Sequence, residues 1–167
     1  MTGHISEVSM PPTLRSGFIL GVSVAAWTFV MGVTGWYKDP ARYSLFWLVI
    51  PMQIGLLLWS LKGTAKADGF GRQVWNGVSI SLLGSMLIFG FSVYFTTVVF
   101  PHYFQERIAM GRQLMALKGI SPEQIEAAVR AQSPMQTPRA SAMAGAIGTV
   151  LTGFLTSLIA AIWLRKK

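Results

Sequence analysis

The chain has 167 residues, of which 52% are hydrophobic and only 12% charged, with no cysteine and a formal net charge of +8. A soluble domain carries about twice that share of charge, and the apolar residues come in blocks too long for a core of this size to bury. Composition thus excludes an ordinary soluble domain, and the missing cysteines exclude disulfides, thiolate nucleophiles and Cys-ligated metals.

Residues 1–13 form a short polar tail containing Pro11 and Pro12. Residues 14–36 are the first apolar block. A signal peptide is the rival reading, but no Lys or Arg precedes the block, it exceeds a usual signal core, and no small-x-small cleavage site follows. It is read as a retained membrane helix. Tyr37-Lys38-Asp39-Pro40 is a turn, because proline cannot continue a helix and biases the residue before it towards extended backbone. Residues 43–61 give a second span of about the minimum crossing length, with a kink expected at Pro51, which lacks a backbone donor.

After a short loop with Lys62, Lys66, Asp68 and Arg72, residues 73–100 form a third, long span that ends at Pro101. The only sizeable polar segment follows, residues 102–137. Phe104, Ile108 and Met115 recur there at near-helical spacing against Glu106, Arg107, Arg112 and Gln113, which predicts an amphipathic helix. Lys118-Gly119-Ile120 is a helix stop. Ser121-Pro122-Glu123-Gln124 is a helix start, with Ser as cap, Pro at the first position and Gln124 able to complete a capping box. Thr137-Pro138 starts the fourth span, residues 139–164, closed by Arg165-Lys166-Lys167.

The expected fold is therefore all-α: a single multi-pass membrane domain of four transmembrane helices, with an extramembrane amphipathic helical hairpin between helices 3 and 4. Trp36, Trp59, Trp75 and Trp163 lie near span ends, as interfacial anchors do. An even number of spans places both termini on one side. The basic 62–72 loop and C-terminal tail favour the cytoplasm, although Lys and Arg divide seven to seven between the two sides.

Small residues recur every four positions: Gly17, Gly21 and Ala25; Gly77, Ser81 and Ser85; Gly145 and Thr149, then Gly153 and Ser157. Such stripes let helix backbones approach where lipid removes the hydrophobic drive. Packing within the chain is their ordinary meaning, and dimerisation the sharper one. Gln53 and Asn76 are polar residues inside apolar blocks. They mark an interhelical hydrogen bond or, less ordinarily, a polar path. No Asp, Glu, Lys or His occupies the middle of a block, which argues against an ion-coupled carrier. His102 and Glu106 are one helical turn apart, but two ligands make a poor metal site, and a surface pair is the plainer reading. No catalytic constellation, cofactor motif or metal spacing is present, so no cofactor is expected. The basic residues flank apolar blocks, which suits lipid headgroups and argues against nucleic acid.

Phe100-Pro101-His102-Tyr103-Phe104, the run Gly119-Ile120-Ser121-Pro122-Glu123-Gln124-Ile125-Glu126, and Ser157-Leu158-Ile159-Ala160-Ala161 with the basic Arg165-Lys166-Lys167 together resemble a family of small bacterial four-helix membrane proteins classed only as a domain of unknown function. The resemblance implies the same topology and a bacterial cytoplasmic (inner) membrane. It implies no activity, so no functional residues carry over. The leading expectation is a non-enzymatic accessory or scaffold subunit whose partners are the lipid bilayer and a larger membrane complex or a homo-oligomer. The alternative is a small transporter or channel for a neutral or lipid-like solute, which needs a hydrated path past Gln53 and Asn76. A membrane enzyme using His102 and Glu106 comes third.

Overall fold

The computed structural model describes residues 10–63 and 69–163. Helix α1 spans Pro12–Val33. Two 3-10 turns follow, Trp36–Lys38 and Tyr43–Leu48, and the second runs directly into α2, Val49–Lys62. Helix α3 spans Phe70–Tyr94 and is prolonged by a π turn, Phe95–Val99. Helices α4 (Tyr103–Leu117) and α5 (Pro122–Gln132) form the hairpin, and α6 spans Pro138–Trp163. No strand occurs among the described residues. Four stretches, Pro12–Val33, Tyr43–Lys62, Phe70–Val99 and Pro138–Trp163, are long and apolar enough to cross a bilayer. The protein is an all-α, multi-pass membrane protein.

Local signals set most boundaries. Pro12 takes the first position of α1, where its missing N–H costs nothing. Gly35, at φ 68°, stops that helix slightly before the expected end. The kink expected at Pro51 takes another form. The chain enters this span as a 3-10 helix, and Pro51 falls in the first turn of α2, where the backbone donors are free anyway.

Helix α3 is the axis of the bundle, with α6 along one side and α1 along another, while α2 leans on α6 and α1 and touches α3 least. The small residues explain the α3–α6 contact. A Cβ on Gly77 would lie 1.7 Å from Ser157 Oγ, and one on Gly153 would lie 1.8 Å from Ser81 Oγ. Each helix thus offers a glycine to the other's serine. Each serine hydroxyl in turn donates to the carbonyl of the glycine four residues earlier in its own helix, Ser81 to Gly77 at 2.9 Å and Ser157 to Gly153 at 2.6 Å. The hydroxyls are satisfied within their own helices and need no partner from lipid. On the other side of α3, Gly17 and Gly21 lie against Leu83 and Leu87, and Gly84 receives Leu20. Leu20, Val24, Leu57, Ile80 and Ile88 fill the space between.

The hairpin closes by local chemistry. Gly119, at φ 74°, follows α4; its N–H reaches the Ala116 carbonyl, and the Ile120 N–H reaches that of Met115. These are the two bonds of a Schellman stop. Ser121 Oγ accepts from the Gln124 N–H, with Pro122 at the first position of α5. Arg112 then grips Glu126 with two parallel bonds of 2.9 and 3.1 Å, and Met110 and Ile125 are the buried apolar residues of the pair. Thr137 caps α6 by accepting from the Ala140 N–H.

Candidate functional site

The bundle is tight at the end bearing Gly77 and Gly153 and open at the other. Where α3 turns towards the hairpin, the entry to α2 stands away from it, leaving a half-enclosed cleft of about 430 Å³. That volume lies within the roughly 300–1,000 Å³ usual for small-molecule sites. Apolar walls come from Phe46, Ile50 and Phe91. Polar groups come from every long helix: Thr28 of α1, Gln53 of α2, Ser92 and Thr96 of α3, and Ser141, Thr149 and Thr152 of α6. Gln53 Nε2 donates to Thr149 Oγ1 at 3.2 Å, and Thr149 in turn donates to the Gly145 carbonyl. Thr28 and Thr96 likewise donate to carbonyls one turn back, Val24 and Ser92. Their oxygens keep acceptor capacity towards the cleft.

Two glycines of α6, Gly145 and Gly148, line this space. A Cβ on Gly145 or Gly148 would meet no atom within 4 Å, and both residues are exposed along the cleft wall. Glycine inside a helix costs about 1 kcal/mol relative to alanine, and here no close helix approach offsets that.

Helix α4 roofs the cleft with Tyr103 and Arg107. Its position is fixed from the α1–α2 connection. Glu106 accepts from the Tyr37 hydroxyl and pairs with Lys38 Nζ at 2.7 Å. Tyr37 is 2% exposed and sits in an aromatic cluster with Phe100, Tyr103 and Phe95. Phe95 and Phe100 lie over Gly32, where a Cβ would come within 2.6 Å of the Phe95 ring. The π turn, closed by the Phe100 N–H to the Phe95 carbonyl at 2.8 Å, brings these two rings together. Lys38 and then Tyr37 hold the Glu106 carboxyl below the usual carboxylate range. Burial, and then Glu106, push the Tyr37 hydroxyl well up. Burial also raises Tyr103, against the opposing pull of Arg107. The Arg107 guanidinium lies 5.7 Å from the centre of the Tyr43 ring.

The residues singled out in the sequence divide between two places. Gly17, Gly21, Gly77, Ser81 and Gly153 lie in the helix contacts described above. Ser85 is buried on α3, donating to the Leu82 carbonyl. Gly145 departs from its stripe: it faces the cleft instead of a neighbouring helix. Gln53 lines the cleft, whereas Asn76 is half-buried near the far end of α3. At 1.5 Å per residue, Asn76 is about 18 Å along the axis from Ile88, which faces the cleft. Asn76 does not line the cleft. Sequence reasoning missed Gln73, which is fully buried and donates to the Leu61 carbonyl at 3.5 Å. It also missed Tyr37 and Arg107 as parts of one site.

Glu106 is engaged with Lys38 and Tyr37, and His102 is exposed. No group of three or more His, Cys, Asp or Glu that could hold a metal occurs among the described residues. A second groove, of about 500 Å³ and almost wholly apolar, opens outward between α3 and α6 beside Met86, Phe89 and Ile147. Acyl chains of the bilayer suffice to fill it.

Comparison with curated proteins and with solved structures gives no match. The sequence does match one family, described as "Protein of unknown function (DUF4199)", across residues 15–166. With nearly its whole length so matched, this four-span chain with its roofed cleft belongs to the DUF4199 family.

Proposed function

We propose that this is a non-enzymatic protein of the bacterial cytoplasmic membrane, with both termini cytoplasmic, that accommodates a lipid-like solute in the cleft beneath α4. The observation that carries the reading is the composition of that cleft. It is half-enclosed, carries polar groups from all four long helices, and is lined by two glycines that no close packing requires. A bundle serving only as a scaffold has no use for such a space, and filling it with side chains would stabilise the protein. A lipid-like occupant suits both the apolar wall and the hydroxyls. The orientation rests on Lys62, Arg72 and the basic C-terminal residues flanking spans on one side.

An accessory role remains the second reading, favoured by the α3–α6 groove, where a partner helix could replace acyl chains. One experiment separates the two: purification from native membranes in mild detergent, followed by mass spectrometry of intact particles. A bound amphiphile that is absent from the Gly148→Leu variant is the expected result. A stoichiometric protein partner together with an empty cleft would refute the lipid reading and restore the accessory one.

A further inference from the structure

We propose that the solute is anionic: an amphiphile whose phosphate or carboxylate headgroup is held by Arg107 while its chain lies against Phe46, Ile50 and Phe91. This inference rests on the cleft reading above and adds a charge to it.

Among the described residues, Arg107 is the one ionised side chain lining the cleft, and Glu106, Asp39 and Glu126 are engaged elsewhere. Glu106, its chain neighbour, is held by Lys38 and Tyr37; Asp39 pairs with Arg42 at 3.4 Å; Glu126 pairs with Arg112. Arg107 forms no ion pair among the described residues; its guanidinium lies by the Tyr43 ring and donates to the Tyr103 hydroxyl. The ring supplies no lone pair in the plane of the fork and the hydroxyl takes only one of five N–H groups, so donors remain for an oxyanion. Five N–H groups in a rigid fork match a carboxylate or phosphate.

Arg107 is half-buried beside the cleft, so an incoming anion gains a charge-assisted hydrogen bond there that a neutral solute does not. The hairpin end of the molecule carries Lys38, Arg42, Arg107, Arg112, Lys118, Arg130 and Arg139 against Asp39, Glu106, Glu123 and Glu126, which biases encounter towards anions. The Ser141 hydroxyl, on the cleft wall, can donate to an oxygen that Arg107 does not reach. The chain enters sideways past Ala144, Gly145 and Gly148, all exposed on α6.

The test uses the full-length protein in a neutral maltoside detergent, with three probes in calorimetric titration: dodecyl phosphate, the neutral monolaurin, and inorganic phosphate. Dodecyl phosphate is expected to bind at least about tenfold more tightly than either other probe, the scale of one charge-assisted hydrogen bond in a sheltered site. Arg107→Gln should bring dodecyl phosphate down to the monolaurin level, with Arg107→Lys in between. Gly148→Leu should abolish binding of both amphiphiles. Unliganded melting temperatures of the variants establish that they are folded. Equal binding of the two amphiphiles, insensitive to Arg107→Gln, overturns the headgroup assignment and leaves the cleft reading standing. No binding of any amphiphile overturns both. Inorganic phosphate binding as tightly as dodecyl phosphate, or dodecyl phosphate binding unaffected by Gly148→Leu, marks a free-anion site outside the cleft and also overturns the proposal.

Discussion

Replacing Gly77 by alanine tests the packing logic of the whole bundle. The new Cβ would lie 1.7 Å from Ser157 Oγ and 2.7 Å from Ser157 Cβ. The hydroxyl can rotate away, at the expense of its 2.6 Å bond to the Gly153 carbonyl. The Cβ cannot, since it is fixed to the α6 backbone, and reaching ordinary contact at 3.4 Å requires about 0.7 Å of separation. Alanine should add about 1 kcal/mol of helix propensity, while overpacking costs about 1–3 kcal/mol and the lost hydrogen bond about 1 kcal/mol. The net loss is on the order of 1–3 kcal/mol, or roughly 2–10 °C in melting temperature for a chain of this length. Thermal unfolding in detergent measures it. Gly90→Ala, where a Cβ meets nothing within 4 Å, is the control and should be neutral or slightly stabilising. Gly77→Ala combined with Ser157→Gly should recover most of the loss, because the second change removes the obstructing Cβ. A Gly77→Ala protein as stable as Gly90→Ala, or no recovery in the double variant, would refute the interlock.

Further outcomes follow from the roof. Phe95→Ala should be the most damaging single change there, on the order of 3–5 kcal/mol, because Phe95 is 2% exposed and packs on Phe91, Phe100 and Tyr103; chemical unfolding reads it directly. Glu106→Gln should cost no more than about 1 kcal/mol overall, since Lys38 is half-exposed and solvent screens the pair, but it should speed amide exchange across α4. The pH dependence has a definite sign. The folded Glu106 carboxyl titrates below its unfolded value of about 4.3, so its contribution is complete above that value and is lost as pH falls through the folded one. Protection of α4 should hold from neutral pH to about pH 5 and decline only in stronger acid. Retention of wild-type pH dependence in Glu106→Gln would assign the transition to another group, with Glu126 the first to test by Glu126→Gln.

The four spans were legible because each is a long apolar block bounded by a proline, a glycine or a charge. The hairpin stop at Gly119 and the caps at Ser121 and Thr137 were equally plain, since each bond reaches only a few residues along the chain. Stripes at Gly77–Ser81 and Gly153–Ser157 could be seen, but not that each answers the other, because a stripe says nothing of its partner. Glu106 lies 69 residues from Tyr37, a pairing that only the closing of the bundle creates. Gln73 escaped notice because a polar residue at the mouth of a span normally faces headgroups, whereas here it turns inward. The cleft was the least visible feature. Gly145 and Gly148 border it, and a glycine beside open space looks in sequence like a glycine kept for contact.

The reciprocal glycine–serine contact sits towards one end of α3 and α6, and the cleft at the opposite end. The two halves of the bundle therefore differ in how closely they pack. Around Gly77 and Gly153 each glycine lies directly against the other helix's serine, with no room for a further methyl group. Around Gln53 and Thr149 a cleft separates the helices, bridged by the 3.2 Å bond between those two side chains. In a bilayer, one leaflet would meet a close-packed wall and the other a wall with a cleft in it.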